Sequence, residues 1–256
     1  MRRHLLAPWL ALLMLFSPGG WAAINAAEAI NLSGMQRMLS QRIAKNYLMI
    51  GSEVRVEQAN RQLDDSLAQF ASNLQTLQGY ASTPALQDSM ARVQSLWQRF
   101  QLQVMQRPQA EQALQVIADS QALLEASDAL VQAIEQHSGQ ASVHLINRSG
   151  RQRMLSQRIA LLYVAASWRL PLPELGEQLA QSVAEFDTTL RELQAAPDND
   201  AESRALLEKI DLHWRYSQSG FSLSADGRYL PTVISNSCDS LLKLMDQLTI
   251  MYAARS

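Results

Sequence analysis

Residues 30–47, INLSGMQRMLSQRIAKNY, return as INRSGRQRMLSQRIALLY at residues 146–163, with 14 of 18 positions identical at an offset of 116. The echo runs on beyond that segment. Leu63, Ser66, Leu67, Ala68, Phe70, Leu74, Leu77 and Gln78 fall on Leu179, Ser182, Val183, Ala184, Phe186, Leu190, Leu193 and Gln194, and Leu96, Arg99 and Phe100 fall on Leu212, Arg215 and Tyr216. Solenoid units are only ~20–50 residues long, so a period of this length marks a duplicated domain. The chain is expected to fold the same way twice.

Apolar residues recur at helical spacing nearly throughout, and no β-branched run of period two appears, so the fold class is all-α. Breakers divide each half into about four helices. They fall at Gly51-Ser52, Gly79 to Pro84, Arg107-Pro108 and His137-Ser138-Gly139 in the first half. In the second they fall at Pro171 to Pro173, Ala196 to Asp200 and Ser219 to Pro231. Thr83 before Pro84, and Asp200, supply N-caps. Four helices with short connections favour two tandem up-down-up-down bundles, residues 23–139 and 140–256. At Ser138-Gly139 both readings stay open, a break or a helix continuous from one half into the next, because one glycine costs only ~1 kcal/mol in a helix.

Residues 1–22 read as a cleaved export signal: Arg2 and Arg3, an apolar run from Leu10 to Phe16, then Gly20-Trp21-Ala22. The alternative is an N-terminal membrane anchor, although the run is shorter than the ~20 residues that span a bilayer. The mature product is expected in the periplasm. Its two repeats leave no length for a catalytic or output domain. The net charge of −2 becomes −4 without Arg2 and Arg3, so no basic face invites nucleic acid, and any bound anion must be drawn by local arginines. Cys238 is the single cysteine, which excludes an intramolecular disulfide. His137, His144 and His213 have no companions that complete a metal set. Neither an enzyme nor a cofactor is expected.

On a helix at ~100° per residue, Leu32, Leu39, Ile43 and Ile50 form a core stripe, flanked by one of Asn31, Met35, Met38, Arg42 and Met49 and another of Arg37, Gln41, Ala44 and Leu48. Arg37 and Arg42 diverge by about 140°, too far to grip one small ion from one helix. If the two repeated helices lie side by side, Arg42 and Arg158 would face each other, and two cations at close range repel unless an anion lies between them. Guanidinium groups are planar, stay charged and donate paired hydrogen bonds, which suits a small planar oxyanion such as nitrate or nitrite. Gly34 and Gly150 would let the helices approach closely. The candidate ligand set is Arg37, Arg42, Arg153, Arg158, Gly34, Gly150, Asn31, Asn147, Gln41 and Gln157. Arg148 and Arg151 make the second copy the more cationic, and so the candidate for the working site.

The pattern I-N-x-S-G-x-Q-R-M-L-S-Q-R resembles the N-terminal sensor module of the type IV pilus chemotaxis transducer family, PilJ, and is similar to the sensor domain of NarX-type nitrate and nitrite sensor kinases. The resemblance implies a four-helix bundle whose first helix carries the ligand motif, with nitrate or nitrite held between two first helices across a dimer interface. It implies Arg37, Arg42, Arg153 and Arg158 as the motif arginines, with the distal one of each pair as the direct ligand. Two functions follow as expectations. One is a periplasmic binding or sensing protein for a small oxyanion, as a possible homodimer presenting its ligand to a membrane receptor or sensor kinase. The other is a ligand-free helical adaptor docking onto a chemoreceptor, sensor kinase or type IV pilus component.

Overall fold

The computed structural model describes residues 24–140, 143–223 and 228–255. The export signal expected over residues 1–22 lies outside the described residues. Among those described are eight α-helices, one short 3₁₀ turn at Ser219–Phe221 and no strand. The helices are α1 (Ala26–Gly51), α2 (Val56–Gln78), α3 (Pro84–Val104), α4 (Ala110–Ser138), α5 (Val143–Ser167), α6 (Leu175–Ala195), α7 (Ala201–Gln218) and α8 (Pro231–Ala253). The expected breakers fall at helix ends or between helices, with Gly51 closing α1, Ser138 closing α4 and Pro84 and Pro231 opening α3 and α8. Asn25, Thr83 and Asp200 cap α1, α3 and α7 by accepting from the N–H groups of Glu28, Leu86 and Ser203, which satisfies donors that have no partner inside the helix. Gly139 stands at φ 61°, in the left-handed region that stops α4. The helix therefore ends there, resolving the ambiguity at the junction.

α1 packs on α2 and α4, and α3 on α4; α5 packs on α6 and α8, and α7 on α8. Side-chain pairs give the directions. Arg37 meets Asp128 while Tyr47 meets Gln112, so α1 and α4 are antiparallel. Arg153 meets Asp246 while Gln157 meets Asp239, so α5 and α8 are too. Repeated anchors confirm that the halves share one design. Phe70 stacks on Trp97 at 4.0 Å, and Phe186 stacks on Trp214 at 4.1 Å. Gln36 donates to the carbonyl of Phe70, and Gln152 to that of Phe186.

The two bundles are not separate bodies, because α1 and α5 lie against each other and the buried apolar residues form one continuous cluster through both halves. Consequently neither motif helix has a solvated face. Every residue from Gln36 to Met49 is buried except Arg42, and every residue from Gln152 to Ala166 except Arg158. This corrects the single core stripe. Leu39 and Ile43 are buried, Leu32 and Ile50 only half-buried, and Ser33, Gln36, Arg37, Ser40, Gln41, Lys45 and Asn46 are buried with them. A helix covered by four neighbours needs polar residues that pair inside. No helix among the described residues is long and apolar enough to cross a membrane.

Candidate functional site

α1 and α5 run parallel and in register, since Gly34 lies beside Gly150 and, farther along, Gly51 beside Trp168. At the glycine pair the two backbones come close to each other. A Cβ placed on Gly34 would lie 3.3 Å from Arg37 Nη2 and 3.5 Å from Arg153 Nη2. One placed on Gly150 would lie 3.3 Å from Arg153 Nη2, 3.4 Å from Arg37 Nη2 and 4.0 Å from the Gly34 Cα. The guanidinium tips of the two repeats thus lie together over bare backbone. The pair that meets is Arg37 with Arg153.

This corrects the expectation that Arg42 and Arg158 face each other. Arg158 reaches the side-chain oxygens of Gln41, Gln121 and Gln178, on α1, α4 and α6, whereas Arg42 lines a cleft with residues of α2 and α8. The physical reason is rotational. Placing Gly34 and Gly150 in contact turns positions 37 and 153 into the seam, and the ~140° between the motif arginines then carries the second one out of it.

Each seam arginine is almost wholly buried and bonded to a carboxylate. Arg37 Nη1 donates to Asp128 Oδ1 at 2.7 Å, and Arg153 Nη1 to Asp246 Oδ1 at 2.7 Å. Each also crosses to the other repeat. Arg37 Nη2 donates to the carbonyl and Oδ1 of Asn147, at 3.2 and 2.9 Å, and Arg153 Nη2 donates to the carbonyl of Asn31 at 3.2 Å. Burial draws the Arg37 guanidinium below its ordinary pKa, Asp128 opposes that, and Arg151 and Arg153 add to the fall. For Arg153, burial acts the same way and Asp246 opposes it. Two cations and two anions therefore make the seam neutral. What remains unmet is the Nε of both arginines and Asn31 Oδ1, all buried without a partner.

One to two turns farther along lies a second buried network. Lys45 Nζ donates to Gln157 Oε1 at 2.9 Å and Asp239 Oδ1 at 2.8 Å, and Gln157 and Gln62 both donate to Asp239. Gln41 donates to the carbonyl of Ser120. Burial lowers the Lys45 pKa against the pull of Asp239. The extra arginines that made the second copy more cationic are neutralised: Arg148 pairs with Glu192, and Arg151 with Glu185 and Asp128. That copy therefore gains no free charge. Cys238 is buried, which pushes its thiol pKa up.

Asn31, Gly34, Arg37, Asn147, Gly150 and Arg153 are thus gathered at one level of the α1–α5 seam. Gln41 and Gln157 lie above it, and Arg42 and Arg158 diverge to opposite sides. Asp128, Asp246, Lys45 and Asp239 were missed from sequence. Asp128 and Asp246 are 118 apart, close to the repeat offset, a signal that was available.

The family model for the N-terminal region of type IV pili methyl-accepting chemotaxis transducers, PilJ, matches residues 21–127 and 133–225. The chain belongs to the PilJ family. No curated protein and no solved structure matches it. PilJ domains are sensory and non-catalytic, and their place is chemoreceptor signalling. In this PilJ chain the first motif arginine of each repeat, Arg37 and Arg153, is an internal pairing group of one seam.

Proposed function

We propose that the chain is a periplasmic sensory adaptor of chemoreceptor signalling, which docks onto a membrane chemoreceptor, a sensor kinase or a type IV pilus component and presents to it the packing state of α1 against α5. One observation carries this reading. The pairing of two motif helices, which the family resemblance places across a dimer interface, is closed within a single chain with its four charges matched. Such a seam is a bistable element in the making, since buried ion pairs and close helix contacts shift between discrete arrangements rather than deform continuously. A ligand or partner can move it by no more than its differential affinity for the two packings. Capture on the immobilised protein from a periplasmic and membrane extract, without added anion, should retain one of these three partners. Recovery of none of them sinks the adaptor reading.

The second reading is a NarX-like sensor of nitrate or nitrite, and it is favoured by the buried, unpaired Nε groups of Arg37 and Arg153. A planar oxyanion spanning both would relieve about 1–3 kcal/mol for each unmet donor. Against it stand Asp128 and Asp246, which already neutralise the charge such an anion would seek. Isothermal titration with nitrate, nitrite and chloride tests it. Heat from nitrate or nitrite that disappears in Arg37→Gln and Arg153→Gln upholds this reading, and no heat from any of the three removes it.

A further inference from the structure

The second motif arginine is the one residue of each helix's buried run that escapes burial, and the two repeats treat it differently. Arg158 is enclosed by oxygens of Gln41, Gln121 and Gln178, with the charges of Glu125 and Glu185 acting on it. Around Arg42 the equivalent positions have changed. α4 and α8 correspond at an offset of 118, as Asp128 and Asp246 do, so Gln121 becomes Asp239 and Glu125 becomes Lys243. At the offset of 116 that relates α2 to α6, Gln178 becomes Gln62 and Glu185 becomes Gln69. Both acids near Arg158 are lost, and one is replaced by a cation.

The acceptors that would close over Arg42 are engaged elsewhere. Asp239 Oδ1 accepts from Lys45 and Gln157, its Oδ2 accepts from Gln62 at 3.0 Å, and Gln157 Oε1 accepts from Lys45. Among the described residues Arg42 donates no hydrogen bond, and its Nε is buried without a partner. In front of it lies a cavity of about 210 Å³ lined by Arg42, Gln58, Gln62, Asn236, Ser240 and Lys243, with Asp239 at its wall. Three cations, Arg42, Lys243 and the buried Lys45 behind, surround one carboxylate that Lys45 already holds.

We propose that this cavity between α1, α2 and α8 is a binding site for a small organic acid, its carboxylate on the free edge of Arg42 and its far end on Lys243. A guanidinium with an open edge prefers a planar carboxylate that takes two hydrogen bonds at once. The space equals roughly seven water volumes at ~30 Å³ each, which suits an acid of three or four carbons. Two cations favour a diacid. The Ser240 hydroxyl is held by the carbonyl of Asn236 and Asn236 Oδ1 by Arg55, which leaves the amide N–H groups of Gln58 and Asn236 to donate to a ligand that carries oxygens at both ends. The Lys45–Asp239 pair is what draws the protein's own oxygens away from Arg42. Around Arg158, which is closed off, Leu161 of α5 and Gln121 of α4 stand in its place. The site goes beyond the reading of the seam, from which it is separate.

Calorimetric titration of the purified protein with malonate and succinate, and with acetate and nitrate for comparison, tests the proposal. At least one diacid should bind more tightly than acetate. Lys243→Glu, an exposed change that copies Glu125, should weaken it by about tenfold or more. Arg42→Gln should abolish it, and Lys209→Glu on exposed α7 should leave it unchanged. The proposal is overturned by absence of diacid binding, by binding that survives both Lys243→Glu and Arg42→Gln, or by equal loss in Lys209→Glu. Nitrate heat without diacid heat, removed by Arg37→Gln and kept in Arg42→Gln, would also overturn it while upholding the seam as an anion site.

Discussion

Lys45 and Asp239 show at the residue scale how the two repeats have diverged around one buried point. Lys45 is fully buried and Asp239 nearly so, and removing one member of such a pair leaves an uncompensated charge in a poorly solvated place. Lys45→Leu should therefore lower stability by about 3 kcal/mol. Around the other motif arginine, Arg158, the corresponding positions are Leu161 and Gln121, so Lys45→Leu with Asp239→Gln should recover most of that loss. Urea midpoints of the single and double variants decide it; a double variant no better than the single would refute the equivalence. The same carboxylate sets an acid limit. Burial pushes Asp239 up, but the Lys45 charge and the hydrogen bonds from Lys45 and Gln62 outweigh it and leave the pKa below the ordinary carboxylate value. The folded state then holds this proton less tightly than the unfolded chain. Its stabilisation is complete above the usual carboxylate range and is lost as pH falls from there through the lower value of the folded state. Urea midpoints taken at descending pH should fall less steeply for the double variant than for the parent.

At the scale of elements, α1 and α5 are pressed together along their length, and Gly51 marks the far end of that contact. A Cβ there would sit 2.4 Å from the Trp168 ring, closer than any real contact. Gly51→Ala must displace the indole, which is packed on the core, and overpacking of this kind costs about 1–3 kcal/mol. The helix propensity of alanine returns at most ~1 kcal/mol. Net destabilisation with a shifted Trp emission is expected, and Trp168→Leu in the Gly51→Ala background should restore the midpoint. An unchanged midpoint in Gly51→Ala would mean that the two helix ends are free to part.

For the whole molecule, the shared core and the central position of α1 and α5 predict one cooperative transition and not two. Calorimetric and van't Hoff enthalpies should agree for the full chain. Two resolved transitions would show that the halves are independent. Residues 24–140 expressed alone would expose the α1 surface that α5 covers, including Gly34 and Lys45. That surface is built to meet a near copy of itself, so the fragment should dimerise through α1. Light scattering that reports a stable monomer, with full helix content, would contradict this.

Much of the fold was legible because it is written locally. Caps, prolines and glycines mark helix ends through backbone geometry that depends on a few neighbouring residues, which is why Thr83-Pro84 and Asp200 could be placed correctly, whereas the break at Gly139 was settled only by its left-handed backbone. The repeat required that the halves be alike, and its identity at Arg37, Gln41 and Arg42 singled out the helices that meet. What could not be read was which arginine enters the seam. A helix fixes the angle between two of its own side chains, but its rotation against a neighbour depends on contacts with chain more than a hundred residues away. Asp128, 91 residues from Arg37, and Asp239, 194 from Lys45, carry no local mark of their partners. By itself, then, the sequence determined eight helices in two like halves with cationic motif helices. Only the tertiary structure decided that Arg37 and Arg153 are matched and sealed while Arg42 is left open, because charge pairing depends on distance in space and not along the chain.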